Sequence, residues 1–270
     1  MDTKEVRGML TTLGLRARKG LGQNFLVDAH FAERAVAHAD IGDGETVLEI
    51  GPGLGVLTGL LASKARKVIA VETEARFIGL VKKANVEYIH GDALKVELPR
   101  FDKVVSNLPY SISTPVTFRL LGPGIDFKAG VLMYQLEFAE RLAAGPGSKV
   151  YGRLSVSAYV RAKIELLDKV PSCAFFPRPK VESRLVRLTP RPPPFETRDW
   201  DLYHRVVKVA FAQRRKKLRN SLRNGLGELA PPFRALGEPD MEKVPYGDER
   251  PEDLTPEQLG EVSDFLCQNG

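Results

Sequence analysis

Ten residues, Thr46 to Gly55 (TVLEIGPGLG), constrain this chain more than any others. Val47, Leu48 and Ile50 form a short apolar run that breaks at once into glycines at 51, 53 and 55. Leu54, Leu57, Leu60 and Leu61 follow at helical spacing. A buried strand feeding a Gly-rich turn and then a helix is how an α/β domain builds a nucleotide-sized pocket. The glycines permit positive φ and close approach of a ligand to the backbone. The helix N-terminus offers unpaired N–H groups to a polar or anionic edge. Dinucleotide folds space these glycines G-x-G-x-x-G, whereas here the spacing is G-x-G-x-G with Glu49 just before it. That departure points to a nucleoside lacking phosphates. A Gly-rich turn can also be a plain strand–helix connection, so the following strands decide.

VIAVE ends in Glu72, where a carboxylate can accept ribose hydroxyls. VEYIHGDAL carries Asp92 at the tip of a third strand, able to bond an adenine amine. DKVVSNLPY brings Asn107 to the tip of a fourth. Any one of these could be the N-cap of the next helix. Four apolar runs each ending in a polar residue define the ligand edge of an open α/β sheet.

Strand and helix alternate from Thr46 to about Leu142, which predicts a parallel sheet. A helix over Ala29–Ala39 is expected, capped by Asp28, with strands at Ala162–Val170 and Val181–Leu188. The proline-rich TPRPPPFE (189–196) reads as a semi-rigid linker into a helical region. The expected organisation is a domain over 1–190, with a basic N-terminal arm at 1–28, and a small helical domain over 191–270. With 43% apolar residues and no unbroken apolar stretch of about 18, the chain has a proper core and no membrane span. Two distant cysteines and four scattered histidines show no metal spacing, so a reduced, cytoplasmic, metal-free protein is expected.

The net charge of +6 conceals an asymmetry. Arg205–Arg223 holds eight bases and no acid, and reads as a basic helix suited to phosphate contact. From Glu228 onward, eleven acids face three bases in what reads as an acidic tail. A second basic cluster, Arg16, Arg18 and Lys19, sits beside Gly20 and Gly22 in the arm.

The chemistry is expected at Asn107-Leu108-Pro109-Tyr110. An Asn side-chain carbonyl and a backbone carbonyl fixed by the following proline are two acceptors that can converge on one NH₂ group. An exocyclic adenine amine is a poor nucleophile because its lone pair is delocalised into the ring. Two hydrogen bonds from its N–H groups favour pyramidal nitrogen and free that pair. No strong base is needed, since the cationic product sheds its proton easily. Tyr110 offers a face for a base to stack on.

The set LGQNFL (21–26), EIGPGLG (49–55), Glu72, GDAL (91–94), SNLPY (106–110), FFPRPKVES (175–183) and AFAQRRKKLRNSL (210–222) resembles the KsgA-type ribosomal RNA adenine dimethyltransferases. The resemblance spans nearly the whole chain. It implies a Rossmann-like class I methyltransferase sheet with a small C-terminal helical domain. It further implies transfer of two methyls from S-adenosylmethionine to N6 of each of two adjacent adenines, in the 3′-terminal hairpin loop of small-subunit rRNA. The implied cofactor set is Asn24, Leu26, Gly51, Gly53, Glu72, Asp92, Ala93 and Asn107. The implied target set is Asn107, Leu108, Pro109 and Tyr110, with Phe175 closing the other side of the base. Arg16, Arg18, Lys19, Arg214, Arg215, Lys216, Lys217, Arg219 and Arg223 are expected to grip RNA phosphates in a partly assembled 30S-type particle, with the protein a monomer. An Erm-like methylase of large-subunit rRNA and a non-catalytic rRNA-binding assembly factor remain as alternatives.

Overall fold

The computed structural model describes residues 1–17, 23–229 and 240–269. Arg18, Lys19, Gly20 and Gly22 of the expected basic arm lie outside the described residues. The chain divides into two compact units, Met1–Ala139 with Lys163–Pro190, and Glu140–Ala162 with Arg191–Gly270.

The first unit opens with a helix, α1 (Thr3–Thr12), inside the segment read as an arm. Asp2 and Glu5 form a reciprocal capping box, with Glu5 N donating to Asp2 Oδ1 at 2.8 Å. Val6 and Leu10, four residues apart on one face, bury against Leu54 and Phe77. After β1 (Phe25–Leu26) comes α2 (Ala29–Ala39), capped by Asp28 through His30 N as its sequence predicts. Then follow β2 (Thr46–Ile50), α3 (Val56–Leu61), β3 (Lys67–Glu72), β4 (Val86–His90) and β5 (Lys103–Asn107). After them come α4 (Ser113–Leu120), β6 (Ala129–Gln135) and α5 (Leu136–Leu142). All five β2 residues are buried. Each of its large aliphatic side chains contributes about 1.5–3 kcal/mol by leaving water, which is why a strand this short holds its place.

Beyond α6 (Arg153–Tyr159) the chain returns to the sheet as β7 (Ala162–Val170), β8 (Phe175–Phe176) and β9 (Ser183–Pro190). The seven-stranded sheet has the order β4-β3-β2-β5-β6-β9-β7. β2 to β6 pair in parallel, and β9 runs antiparallel to β6. The chain winds outward from β2 to β4, then restarts on the other side at β5. The switch point therefore lies between β2 and β5, where open sheets of this kind hold ligands. The FFPRPKVES motif contains β8, which pairs with β1 and joins Phe175 to Leu26.

The second unit is helical, with α7 (Trp200–Ala212), α8 (Leu218–Asn224), α9 (Leu226–Leu229) and α10 (Pro256–Asn269). Residues 140–162, assigned to the sheet domain on sequence grounds, belong here because Tyr151, Val156 and Val160 lie in this unit's core.

The basic stretch is two helices rather than one. α7 ends at Ala212 and the chain restarts at Leu218. At 3.6 residues per turn, a continuous helix would carry Leu218 roughly 80° around from Ala210. The break lets Leu218 and Leu222 be fully buried beside the α7 stripe of Leu202, Val206 and Ala210. The acidic C-terminal segment is no solvated tail either, because α10 buries Leu259, Val262 and Leu266. Among the described residues no helix is long and apolar enough to cross a membrane.

Candidate active site

Burial drives the strands together in register, and the register delivers their C-terminal tips to one place. Gly51 N donates to the Val71 carbonyl of β3 at 2.9 Å, and Ile50 N donates to Ser106 Oγ of β5 at 2.8 Å. These two bonds tie the β2 tip to both neighbours across the switch point.

The turn that follows needs its glycines, since Gly51, Gly53 and Gly55 have φ of 73°, 53° and 82°. A Cβ at 51 would meet Pro109 at 3.5 Å, an ordinary contact, so it is the positive φ that calls for glycine there.

The result is a cavity of about 300 Å³. Its lining includes Asn24 and Leu26, Gly51 and Gly53, Glu72, Asp92 and Ala93. Asn107, Leu108, Pro109 and Tyr110 line it as well. The sequence-predicted cofactor and target residues therefore share one space, with Phe175 as the exception. Phe175 is 3% exposed, packs in the core with Leu26 and does not line the cavity. The β1–β8 pairing turns it inward. Its neighbour Phe176 packs beneath the Arg7 guanidinium, 5.0 Å from the ring centroid.

Backbone N–H groups aim the acids. Glu72 Oε1 accepts from Thr73 N (2.8 Å) and Glu74 N (2.9 Å), and Oε2 accepts from Gly53 N (3.1 Å). Lone pairs on Oε2 remain for a hydroxyl donor. Asp92 Oδ1 accepts from Leu94 N at 2.9 Å, and Oδ2 lies 4.0 Å from the exposed Lys95 ammonium. Arg119 of α4 clamps that loop through the Ala93 and Val96 carbonyls. Asn107 Nδ2 donates to the Asn24 carbonyl at 2.9 Å, which leaves the amide oxygen as the outward-facing acceptor. The Tyr110 hydroxyl lies 2.6 Å from Ser183 Oγ. Burial pushes its pKa above the ordinary tyrosine value, so it stays a neutral phenol.

Glu49 is a cavity-lining residue whose role the motif reading left open. It is 1% exposed, and its Oε2 has no hydrogen-bond partner among the described residues. Burial pushes its carboxyl up to about 8, with Thr58 opposing the shift and the Glu72 charge reinforcing it. The acid immediately before the glycines was the available signal. Phe77, which also lines the cavity, was not identifiable because its short 3₁₀ turn, Ala75–Phe77, has no motif.

The expected RNA residues divide sharply. Arg214 donates to the Lys149 and Tyr151 carbonyls and pairs with Glu252. Lys217 pairs with Asp248, Arg219 with Glu242 and Asp248, and Arg223 with Glu242. The charges read as a phosphate grip are largely met by the acids read as a tail. Arg215 and Lys216 are exposed and have no acidic partner among the described residues, as is Arg16 of the first unit. Among the described residues no cluster of His, Cys, Asp or Glu could hold a metal.

Comparison with known proteins agrees with this arrangement. The family model for ribosomal RNA adenine dimethylase matches residues 14–233. A probable ribosomal RNA small subunit methyltransferase A of Methanosarcina acetivorans is 46% identical over 255 residues, covering 90% of this chain and 91% of its own. A protein of the same description from Thermococcus kodakarensis is 44% identical over 263 residues, covering 95% and 92%. Among solved structures, a dimethyladenosine transferase from Plasmodium falciparum superposes with a TM-score of 0.75 at 29% identity, covering 88% of this chain and 95% of that one. The 23S rRNA methyltransferase ErmE reaches 0.70 at 26% identity, covering 90% and 99%. A family match across most of the length, relatives above 40% identity, and a switch-point cavity lined by the motif residues lead to one conclusion: the chain belongs to the ribosomal RNA adenine dimethylases, which are methyltransferases.

Proposed function

We propose that this protein transfers two methyl groups from S-adenosylmethionine to N6 of each of two adjacent adenines in the 3′-terminal hairpin loop of small-subunit rRNA. The observation that carries the reading is the Asn107–Tyr110 turn lining the same cavity as Glu72 and Asp92. The residues present fit that cofactor. Glu72 and Asp92 suit the ribose and adenine, positive-φ glycines give close backbone approach, and the unpartnered Glu49 Oε2 suits a cationic ligand. Bound there, the cofactor supplies an electrophilic methyl on a sulfonium.

The protein's part is to hold the accepting amine. Asn107 Oδ1, aimed by the Asn24 carbonyl bond to Nδ2, and the Leu108 carbonyl accept the two N–H groups. That draws the nitrogen lone pair out of conjugation and directs it at the methyl. Tyr110 stacks on the flipped base, and orientation does the work that a general base does elsewhere. With the sulfonium sulfur leaving as a neutral thioether, the methylated nitrogen would carry the positive charge and lose its proton to water. The preferred substrate is rRNA within a partly assembled particle, where the loop is presented by shape.

Labelled S-adenosylmethionine and undermethylated small subunits test this directly, with mass spectrometry of the 3′-terminal rRNA fragment. Two neighbouring dimethyladenosines are expected. Methylation confined to large-subunit rRNA would overturn the assignment in favour of the ErmE-like substrate. Binding without transfer would leave an assembly factor.

For the RNA footprint, Arg215 and Lys216 are the residues of the basic stretch with charge to spare. Replacing both with Ala is expected to weaken RNA binding and reduce the slope of log affinity against log salt by about 1–2, with cofactor affinity unchanged. Arg214→Ala should instead lower the melting temperature, because it frees two loop carbonyls and Glu252. An unchanged salt slope in the double variant would remove these two residues from the footprint.

A further inference from the structure

Tyr110 is held at both ends. Its backbone belongs to a single 3₁₀ turn, Tyr110–Ile112, continuous with Asn107-Leu108-Pro109. Its hydroxyl lies 2.6 Å from Ser183 Oγ. Ser183 is fully buried and opens β9, opposite Gln135 of β6 in the antiparallel register. The adjoining Leu136 N donates to the Glu182 carbonyl at 2.9 Å, so the strand end is itself fastened. A ring on a three-residue turn is thus pinned to the sheet by one hydroxyl pair.

The two methyl transfers place unequal demands on that ring. An unmethylated amine has two N–H groups, which can engage both Asn107 Oδ1 and the Leu108 carbonyl. A monomethylated amine has one, so one orienting hydrogen bond is gone when the second methyl arrives. The base plane then depends more on the surface it stacks against. Building on the function proposed above, we infer that Ser183 is a positioning residue. By fixing the Tyr110 ring it supports the second transfer more than the first and so makes dimethyladenosine, rather than monomethyladenosine, the product.

The test is a time course with Ser183→Ala, Tyr110→Phe and the double variant, reading N6-monomethyl- and N6,N6-dimethyladenosine by mass spectrometry of digested rRNA. Loss of one neutral hydrogen bond is expected to slow the second transfer by up to about tenfold and the first by a smaller factor. Monomethyladenosine should therefore accumulate. Because both single variants break the same bond, the double variant should be no worse than either. Equal slowing of both transfers, an unchanged product ratio, or additive losses in the double variant would overturn the inference. If the wild type forms no methylated adenine, the proposed function fails instead. A dimethylating wild type with unaltered ratios in the variants fails this inference alone.

Discussion

Asn107→Ala is expected to lower kcat for methyl transfer by at least about 100-fold while leaving the protein folded. The size follows from what the side chain does in the proposed reaction. Groups preorganised to interact with the reacting centre typically contribute about 10²–10³ in rate when removed singly. Asn107 Oδ1 is one of only two acceptors proposed for the amine, and its Nδ2 bond to the Asn24 carbonyl fixes its direction. Structurally the variant loses that one hydrogen bond, on the order of 1 kcal/mol. Its melting temperature should therefore fall by a few degrees at most. Asn107→Asp keeps the shape but replaces a donor with a second acceptor facing the Asn24 carbonyl, so it should be no more active than Ala. Single-turnover rates with undermethylated subunits check both. Activity within about threefold of wild type in Asn107→Ala would remove this residue from the chemistry.

The second large effect is on stability. Glu49 is a carboxylic acid whose pKa is raised by burial to about 8, so the native state retains a proton that the unfolded chain releases near the ordinary value of 4.5. Where the native state binds the extra proton, stability falls as pH rises. Its contribution is therefore fully present below about pH 4.5 and is lost progressively up to about pH 8. One pKa unit corresponds to about 1.4 kcal/mol, which places the total on the order of a few kcal/mol. Glu72 is the acid whose charge raises this pKa, and Tyr88 also feels the charges of both carboxyls. Among the described residues no ion pair offsets Glu49.

Glu49→Gln, a neutral isostere, is expected to match wild type near pH 5 and to melt several degrees higher at pH 8.5 without ligand. Other titrating groups are common to both proteins and cancel in the difference. A cationic ligand in the cavity should reverse the order at high pH by stabilising ionised Glu49. Parallel melting curves from pH 5 to 8.5 would show that Glu49 is not held neutral.

Much of the site was legible because strand tips announce themselves. Gly51, Gly53, Glu72, Asp92 and the Asn107–Tyr110 turn lie in motifs whose local chemistry already demands a glycine, an acid or a converging pair of carbonyls, whereas Asn24, Leu26 and Ala93 came from the family resemblance alone. The parallel register needs only the apolar periodicity of each strand, and the sheet order then brings the tips together. Phe175 shows the limit of this reasoning. Its motif is legible, but pairing with Leu26, 149 residues away in sequence, turns it into the core.

The chain by itself determined the α/β sheet, the glycine turn, the acids at the strand tips and the Asn107–Tyr110 turn, because each follows from short-range periodicity or local backbone chemistry. Tertiary structure alone decided the rest. It matched the basic stretch against the acids of the C-terminal segment, leaving Arg215 and Lys216 exposed. It isolated Glu49 in a buried site and set Ser183 beneath the Tyr110 hydroxyl. Charge pairing, desolvation and long-range contact depend on which residues the fold makes neighbours, and one-dimensional spacing does not encode that.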